Sequence, residues 1–253
     1  MIVPENYKLT VNSCQFLFMD EEIPGGKKIW GFGSAEQIRI CSSSSDLYGD
    51  GTFDLVKSCM FMQLWIIVTR SASLGISFPA LFFLFPDKSY PTYKSCMEKM
   101  RELGIQSPDK FHLDFEAAAI KAAKEVWPDT RIVTCDTHWK RALRNGQSQS
   151  GLTAMVNQDS DMQNWCRTVW ALCFVPEEEV LKVWTDVIHK SAPFVAEPDD
   201  PDYDCSLSPE EVIQWNTALD NYIKYLEYTW IGRVSPKTGK RGSGLYKIHI
   251  WNK

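Results

Sequence analysis

Two aspartates stand where carboxylates are awkward. Asp50 lies in "YGDGTFDLV", between two glycines and just ahead of the apolar run "MFMQLWIIV". Asp114 lies in "KFHLDFEAAAIKAA", between a short apolar stretch and an alanine-rich one. Each follows a strand-like segment and precedes a change of direction. A carboxylate beside a buried strand is costly unless something compensates it. Two carboxylates brought together repel, and one is driven toward protonation unless a cation lies between them. Oxygen ligands of this kind suit Mg²⁺ or Mn²⁺. A pair of such ions can activate water and stabilise a leaving oxygen in phosphodiester chemistry. The competing reading is local: Asp50 makes an Asx turn, and Asp114 caps a helix that begins at Phe115.

A second constellation is Cys135-Asp136-Thr137-His138. A Cys and a His three apart can share a zinc ion, but no second Cys/His pair follows at finger spacing. The alternative is a buried cysteine that ends a strand and a histidine in the first turn of a helix. Lys140, Arg141 and Arg144 fall along one helical stretch, with Arg141 and Arg144 on one face, and Lys237, Lys240 and Arg241 cluster near the C-terminus. Either set can meet phosphate or form a solvated face. Glu177, Glu178 and Glu179 read as the acidic first turn of a helix.

The elements that must position these residues follow from pattern. "CQFLFMDEEIPGGKKIWGFGS" reads as a hairpin turning at its Pro and Gly residues. "SDLYGDGTF", "MFMQLWIIVT" and "SFPALFFLF", the last two joined by "RSASLGI", read as an antiparallel meander. Their near-continuous hydrophobicity predicts cover on both faces. A helix opens near Ser89 with Pro91 in its first turn and stops at Gly104. "KFHLD" is a strand, "FEAAAIKAAKEVW" a helix closed by Pro128, "TRIVTC" a strand and "HWKRALRN" a helix. A meander followed by alternating units gives a mixed sheet with helices on both faces. Placing "KFHLD" beside "SDLYGDGTF" makes Asp50 and Asp114 neighbours at one end of that sheet.

Beyond Gly151 the pattern is helical. "DMQNWCRTVWALCFVP" is one helix. Pro176 starts another, with Val180, Val183, Trp184, Val187 and Ile188 on its apolar face. The acidic, proline-rich "SAPFVAEPDDPDYDCSL" is a loop. Ser208-Pro209-Glu210-Glu211 is a capping box that opens a helix with the stripe Val212, Trp215, Leu219, Tyr222 and Leu226. "RVSPKTGKRGSG" reads as a basic, flexible tail. The expected organisation is an N-terminal hairpin extension over 1–45, a catalytic core over 46–150, a helical insertion over 151–232 and a basic tail over 233–253.

Composition narrows the function classes. The chain has 253 residues, 44% hydrophobic and 23% charged, which describes a globular protein and not a disordered one. Its net charge of −5 argues against an isolated nucleic-acid-binding module, which is usually basic. Eight cysteines at irregular positions read as reduced thiols, and therefore as an intracellular chain, not a disulfide framework. No signal peptide or membrane span is expected.

Taken in order, "DGTF", "QLWIIV", "LFPDKSYPTY", "LDFEAAAIKAA", "CDTH", "ALCFVPEEEVLKVW" and "YLEYTWIGR" resemble a Mutator-like (MULE) transposase domain. The resemblance runs from about Cys14 to the C-terminus and is strongest from Asp50 to Val187. It implies an RNase H-like α/β fold with a catalytic acidic triad, using Mg²⁺ or Mn²⁺. Asp50 matches the first acid and Asp114 the second. Cys135 and His138 match a C-x-x-H motif close to the catalytic centre, and the later helices match an insertion before the third acid. It also implies nuclear DNA transposition, with transposon terminal inverted repeats and target DNA as partners and homo-oligomers allowed.

Two departures accompany the resemblance. The Asn-Asn-x-x-Glu-like motif that carries the third acid shortly after a segment resembling "KIHIWNK" is not in these 253 residues, so the chain reads as truncated. Glu177, Glu210, Glu211 and Glu227 do not match its position. The zinc-binding DNA-recognition domain that many such relatives carry upstream is not among these 253 residues. The expected function is metal-dependent phosphodiester cleavage and strand transfer. The competing one is a non-catalytic, truncated or host-adopted remnant that binds DNA or protein. A two-carboxylate glycosidase lacks any sugar-stacking pattern separable from the core aromatics.

Overall fold

The computed structural model describes residues 2–52, 60–71, 75–196, 200–201 and 207–252 and divides into two compact units, Met1–Val133 and Thr134–Lys253. The first is α/β and is built on a seven-stranded mixed sheet. Its elements are β1 (Leu17–Ile23), β2 (Lys27–Phe32), α1 (Ala35–Ser42), β3 (Asp46–Thr52), β4 (Gln63–Arg70) and β5 (Ser77–Phe85). They continue as α2 (Tyr90–Glu102), β6 (Lys110–Leu113), α3 (Ala117–Val126) and β7 (Arg131–Thr134). The strand order is β1-β2-β5-β4-β3-β6-β7.

The hairpin forms where expected. Ile23 pairs with Lys27 across Pro24-Gly25-Gly26. Gly25 and Gly26 take φ of +93° and +71°, a region that side chains with a Cβ disfavour. β2 then joins β5, so the hairpin lengthens the sheet. The meander is antiparallel at β3/β4 and β4/β5. β6 pairs in parallel with β3, with Leu47 opposite Phe111 and Tyr48 opposite His112. Phe53 to Cys59 and residues 72–74 of the "RSASLGI" link lie outside the described residues.

Near-complete burial of the meander is met on one face only. Along β4, Gln63, Trp65, Ile67 and Thr69 are buried, whereas Leu64, Ile66 and Val68 are half-buried. The buried face carries an aromatic core in which Trp65 packs with Phe83, Phe85, Tyr93 and Phe111. α2 and α3 pack on each other, and α2 reaches β1 and β2. A smaller cluster joins Val3, Trp30 and Phe61 to Leu17, Phe32, Met60 and Leu84.

Helix ends follow the local chemistry. α2 starts after Ser89 with Pro91 in its first turn, where a missing N–H is harmless. α1 has no counterpart in the sequence-based reading. It opens on a capping box in which Ser34 Oγ accepts from Gln37 N and Gln37 Oε1 accepts from Ser34 N. α3 starts at Ala117, not Phe115, and ends before Pro128.

The second unit is mainly helical: α4 (Asp136–Gln149), α5 (Thr153–Gln158), α6 (Ser160–Ala171), α7 (Val180–Val183), α8 (Pro209–Leu226) and α9 (Ile248–Trp251). The single helix expected up to Pro176 is α6 followed by a 3₁₀ turn, Leu172–Phe174. α7 passes into a π turn, Trp184–Ile188, which keeps Val180, Trp184 and Ile188 buried and leaves Val187 exposed, against expectation. The Ser208 capping box and the buried positions Val212, Leu219, Tyr222 and Leu226 of α8 stand as expected. Trp215 is half-buried and donates to Pro193 O. Parts of the acidic loop, 197–199 and 202–206, lie outside the described residues.

The core of this unit is a tryptophan group. Trp139 stacks on Trp251 at 4.7 Å with 3° between the ring planes, and Trp230 meets Trp139 edge-on at 4.8 Å. The expected flexible tail is an ordered turn: Val234 bridges to Arg241, Ser235 N donates to Lys240 O, and Arg241 pairs with Glu227 at 3.0 Å. Backbone hydrogen bonds and a half-buried ion pair hold it, which composition alone does not reveal.

No helix of the described residues is long and apolar enough to cross a membrane. The described cysteines are free, and Cys41, Cys96, Cys166 and Cys173 are buried, whereas Cys14 is exposed and Cys135 is half-buried. Cys59 and Cys205 lie outside the described residues.

Candidate metal centre

Side chains alternate across a sheet, and this sorts β3 into two sets. Leu47 and Gly49 are buried, while Tyr48 and Asp50 are exposed on the other face. β6 follows the same rule: Phe111 and Leu113 are buried, and His112 is half-buried. The parallel register sets Tyr48 beside His112. Their rings stack at 4.2 Å with 14° between planes. His112 Nε2 also lies 3.5 Å from Asp46 Oδ1. Two residues further along each strand direction come Asp50 and Asp114.

A carboxylate oxygen of Asp50 and one of Asp114 come within 4.8 Å of each other. Asp50 is exposed and Asp114 is half-buried. Neither local alternative holds. Asp50 is a mid-strand residue paired with Ile66 in β4, not part of an Asx turn. Asp114 precedes α3 by three positions. The N-cap position belongs to Glu116, whose backbone N–H donates to Asp114 O at 2.7 Å.

The glycines around Asp50 are required by packing. A Cβ on Gly49 would lie 2.8 Å from Trp65 Cζ2 and 3.0 Å from Leu113 Cδ2. A Cβ on Gly51 would lie 1.9 Å from Gln63 Nε2. The strand therefore presses against the core on either side of Asp50. Gln63 is buried and 1% exposed, and its Oε1 lies 3.3 Å from Tyr93 Oη. Tyr93 donates at 2.7 Å to Glu116 Oε2. Burial first, and then the bond to Glu116, push the Tyr93 phenol well above its ordinary value, so it stays a neutral donor. This polar chain from β4 through α2 to the loop before α3 was not read from the sequence. Its members are far apart along the chain, and each is unremarkable alone.

The remaining sequence-predicted residues belong to the second unit. Cys135 is the N-cap residue of α4, and His138 lies in that helix's first turn. Among the described residues, Cys135 belongs to no group of three or more Cys, His, Asp and Glu with converging ligand atoms, so zinc at the C-x-x-H pair gains no support. Lys140 sits 3.8 Å from Asp136 of the same helix. Arg141 and Arg144 are exposed, and Arg144 lies over the Trp170 ring at 5.0 Å. Glu211 completes the capping box of α8, and Glu227 binds Arg241. Glu177 begins a 3₁₀ turn.

The two aspartates offer oxygen donors and reach solvent, the chemistry of a metal-binding site. The chain matches no known family model, and no curated protein matches it.

Proposed function

We propose that this chain is an RNase H-like, MULE-transposase-type domain whose Asp50 and Asp114 hold divalent metal for phosphodiester cleavage. The observation that carries the reading is the pair itself, two carboxylates brought within 4.8 Å on the same side of adjacent strands. The sheet supports it: an antiparallel meander continued on its β3 side by a parallel strand is what the motif resemblance implies.

In this reading, a bound Mg²⁺ or Mn²⁺ supplies charge for activating water and for stabilising the leaving oxygen. The chain's part is positional. β3 and β6 fix the two carboxylates before any ion arrives, so little reorganisation is needed. Tyr93 restrains Glu116, two residues after Asp114 in the chain, and the glycines let β3 seat against the core. Attack of water on phosphorus breaks the bond to the 3′ oxygen, which leaves as a hydroxyl, and the phosphate stays on the 5′ side. The partner class is DNA, and the resemblance assigns it as transposon ends and target. A nuclear setting belongs to the same proposal.

A second reading is a DNA- or protein-binding remnant without catalysis. One observation favours it: Glu211 and Glu227, two of the glutamates weighed for the third acid, are engaged in a helix cap and an ion pair.

Plasmid nicking separates the two. With Mn²⁺, the cleavage reading expects relaxation of supercoiled DNA, reduced by about 100-fold or more in Asp50→Asn or Asp114→Asn, since each tenfold is about 1.4 kcal/mol of barrier. Equal nicking by the wild type and both variants would refute it. Metal binding without nicking favours the remnant.

A further inference from the structure

The helical unit contains a polar hollow, separate in its residues from the aspartate pair. It has a volume of about 550 Å³ and is lined from α4 by Arg144, Gln147 and Ser148, from α5 by Thr153 and Asn157, and from α6 by Arg167 and Trp170, among others. That volume lies in the range of small-molecule sites.

Its lining contains two arginines and no aspartate or glutamate. In a chain of net charge −5 this is a local reversal of sign. Arg144 has no ion pair among the described residues and lies over Trp170, with its guanidinium carbon 5.0 Å from the ring centroid. Arg167 donates only to neutral side chains one turn back, Asn164 at 3.1 Å and Gln163 at 3.5 Å. Both guanidiniums therefore keep donors and charge for an external anion. The buried indole N–H of Trp170 has no hydrogen-bond partner among the described residues. Arginine's planar fork suits phosphate oxygens. Hydroxyls of Ser148 and Thr153 add donors, and the exposed amide of Asn157 both donates and accepts, as base edges require.

We propose that this hollow binds a phosphate monoester of mononucleotide size. The ester is either a free nucleotide or the 5′-phosphorylated end of a single strand. The proposal does not depend on metal binding or cleavage.

The test is calorimetric titration of the intact protein at low salt with adenosine monophosphate, adenosine and inorganic phosphate. The expected result is one monophosphate per chain, weaker binding of inorganic phosphate and none of adenosine. Arg144→Gln and Arg167→Gln should each weaken binding by about tenfold, the scale of a charge-assisted hydrogen bond. Unchanged thermal unfolding of Arg167→Gln, whose side-chain bonds are exposed, shows that the loss is not unfolding. Displacement of the monophosphate by a 5′-phosphorylated oligonucleotide, but not by its unphosphorylated twin, assigns the site to strand ends. No displacement assigns it to free nucleotides. Absence of binding at millimolar monophosphate, or binding by both arginine variants as tight as that of the wild type, overturns the proposal.

Discussion

Tyr48 and His112 stack face to face, 4.2 Å apart, across the parallel junction of β3 and β6. Two residues on, the same two strands deliver Asp50 and Asp114. The stack thus pins the register that makes the carboxylates neighbours. A one-residue slip would send one of them to the opposite face. In a double-mutant cycle with Tyr48→Ala and His112→Ala, the coupling should be about 0.5–1.5 kcal/mol. Additive losses would mean that the rings merely sit side by side.

Gly51 is where the backbone yields to the core. Gly51→Ala places a Cβ against the buried Gln63 amide, so Gln63 must abandon its contact with Tyr93. Urea unfolding should show a loss of about 1–3 kcal/mol, the usual scale of overpacking. Metal affinity should fall with it. A variant as stable as wild type would show that Gln63 moves freely.

Asp87 is a pH-sensitive fastening of the first unit. Its carboxylate accepts from Lys27 at 2.6 Å, Thr92 Oγ1 at 2.6 Å and Ser89 N at 2.9 Å, tying the hairpin to the start of α2. Burial opposes its charge, but these bonds outweigh burial and hold the carboxyl well below its ordinary value of 3.8. A folded-state value below the unfolded one contributes stability fully present above about pH 4 and lost as pH falls through the folded value. Asp87→Asn should therefore be less stable by about 1–2 kcal/mol at pH 7, with the gap narrowing below pH 4. A gap independent of pH would assign the loss to packing.

Thiol reactivity should follow burial. Burial pushes Cys41 and Cys166 up to about 12, and Cys96 well above its ordinary value. Cys14 is exposed. Alkylation at pH 8, read peptide by peptide, should modify Cys14 promptly and spare Cys41, Cys96 and Cys166 until the chain unfolds. Early labelling of Cys96 would contradict the packing of α2.

Much of the first unit was legible because its signals are local. Alternating and continuous apolar runs marked the strands, Pro-Gly-Gly marked the hairpin turn, and Pro91 and Pro128 marked helix ends. The neighbouring of Asp50 and Asp114 followed from placing "KFHLD" beside "SDLYGDGTF". α1 was missed although Ser34-Ala35-Glu36-Gln37 is a capping pattern, because its apolar face is short. Val187 was misplaced because a π turn changes the period that ordinary helical spacing assumes. The Gln63–Tyr93–Glu116 chain and the arginine hollow depend on tertiary proximity between polar residues, which no period announces.

The central claim is that Asp50 and Asp114 together hold a divalent cation. Titration of Mn²⁺ into the protein, followed by the loss of the free-ion electron paramagnetic resonance signal, tests it without a substrate. Saturable binding by the wild type, lost in both Asp50→Asn and Asp114→Asn while each variant unfolds at a wild-type urea midpoint or above, is the predicted result. Wild-type protein that leaves the Mn²⁺ signal untouched, or variants that bind as well as wild type, would contradict it.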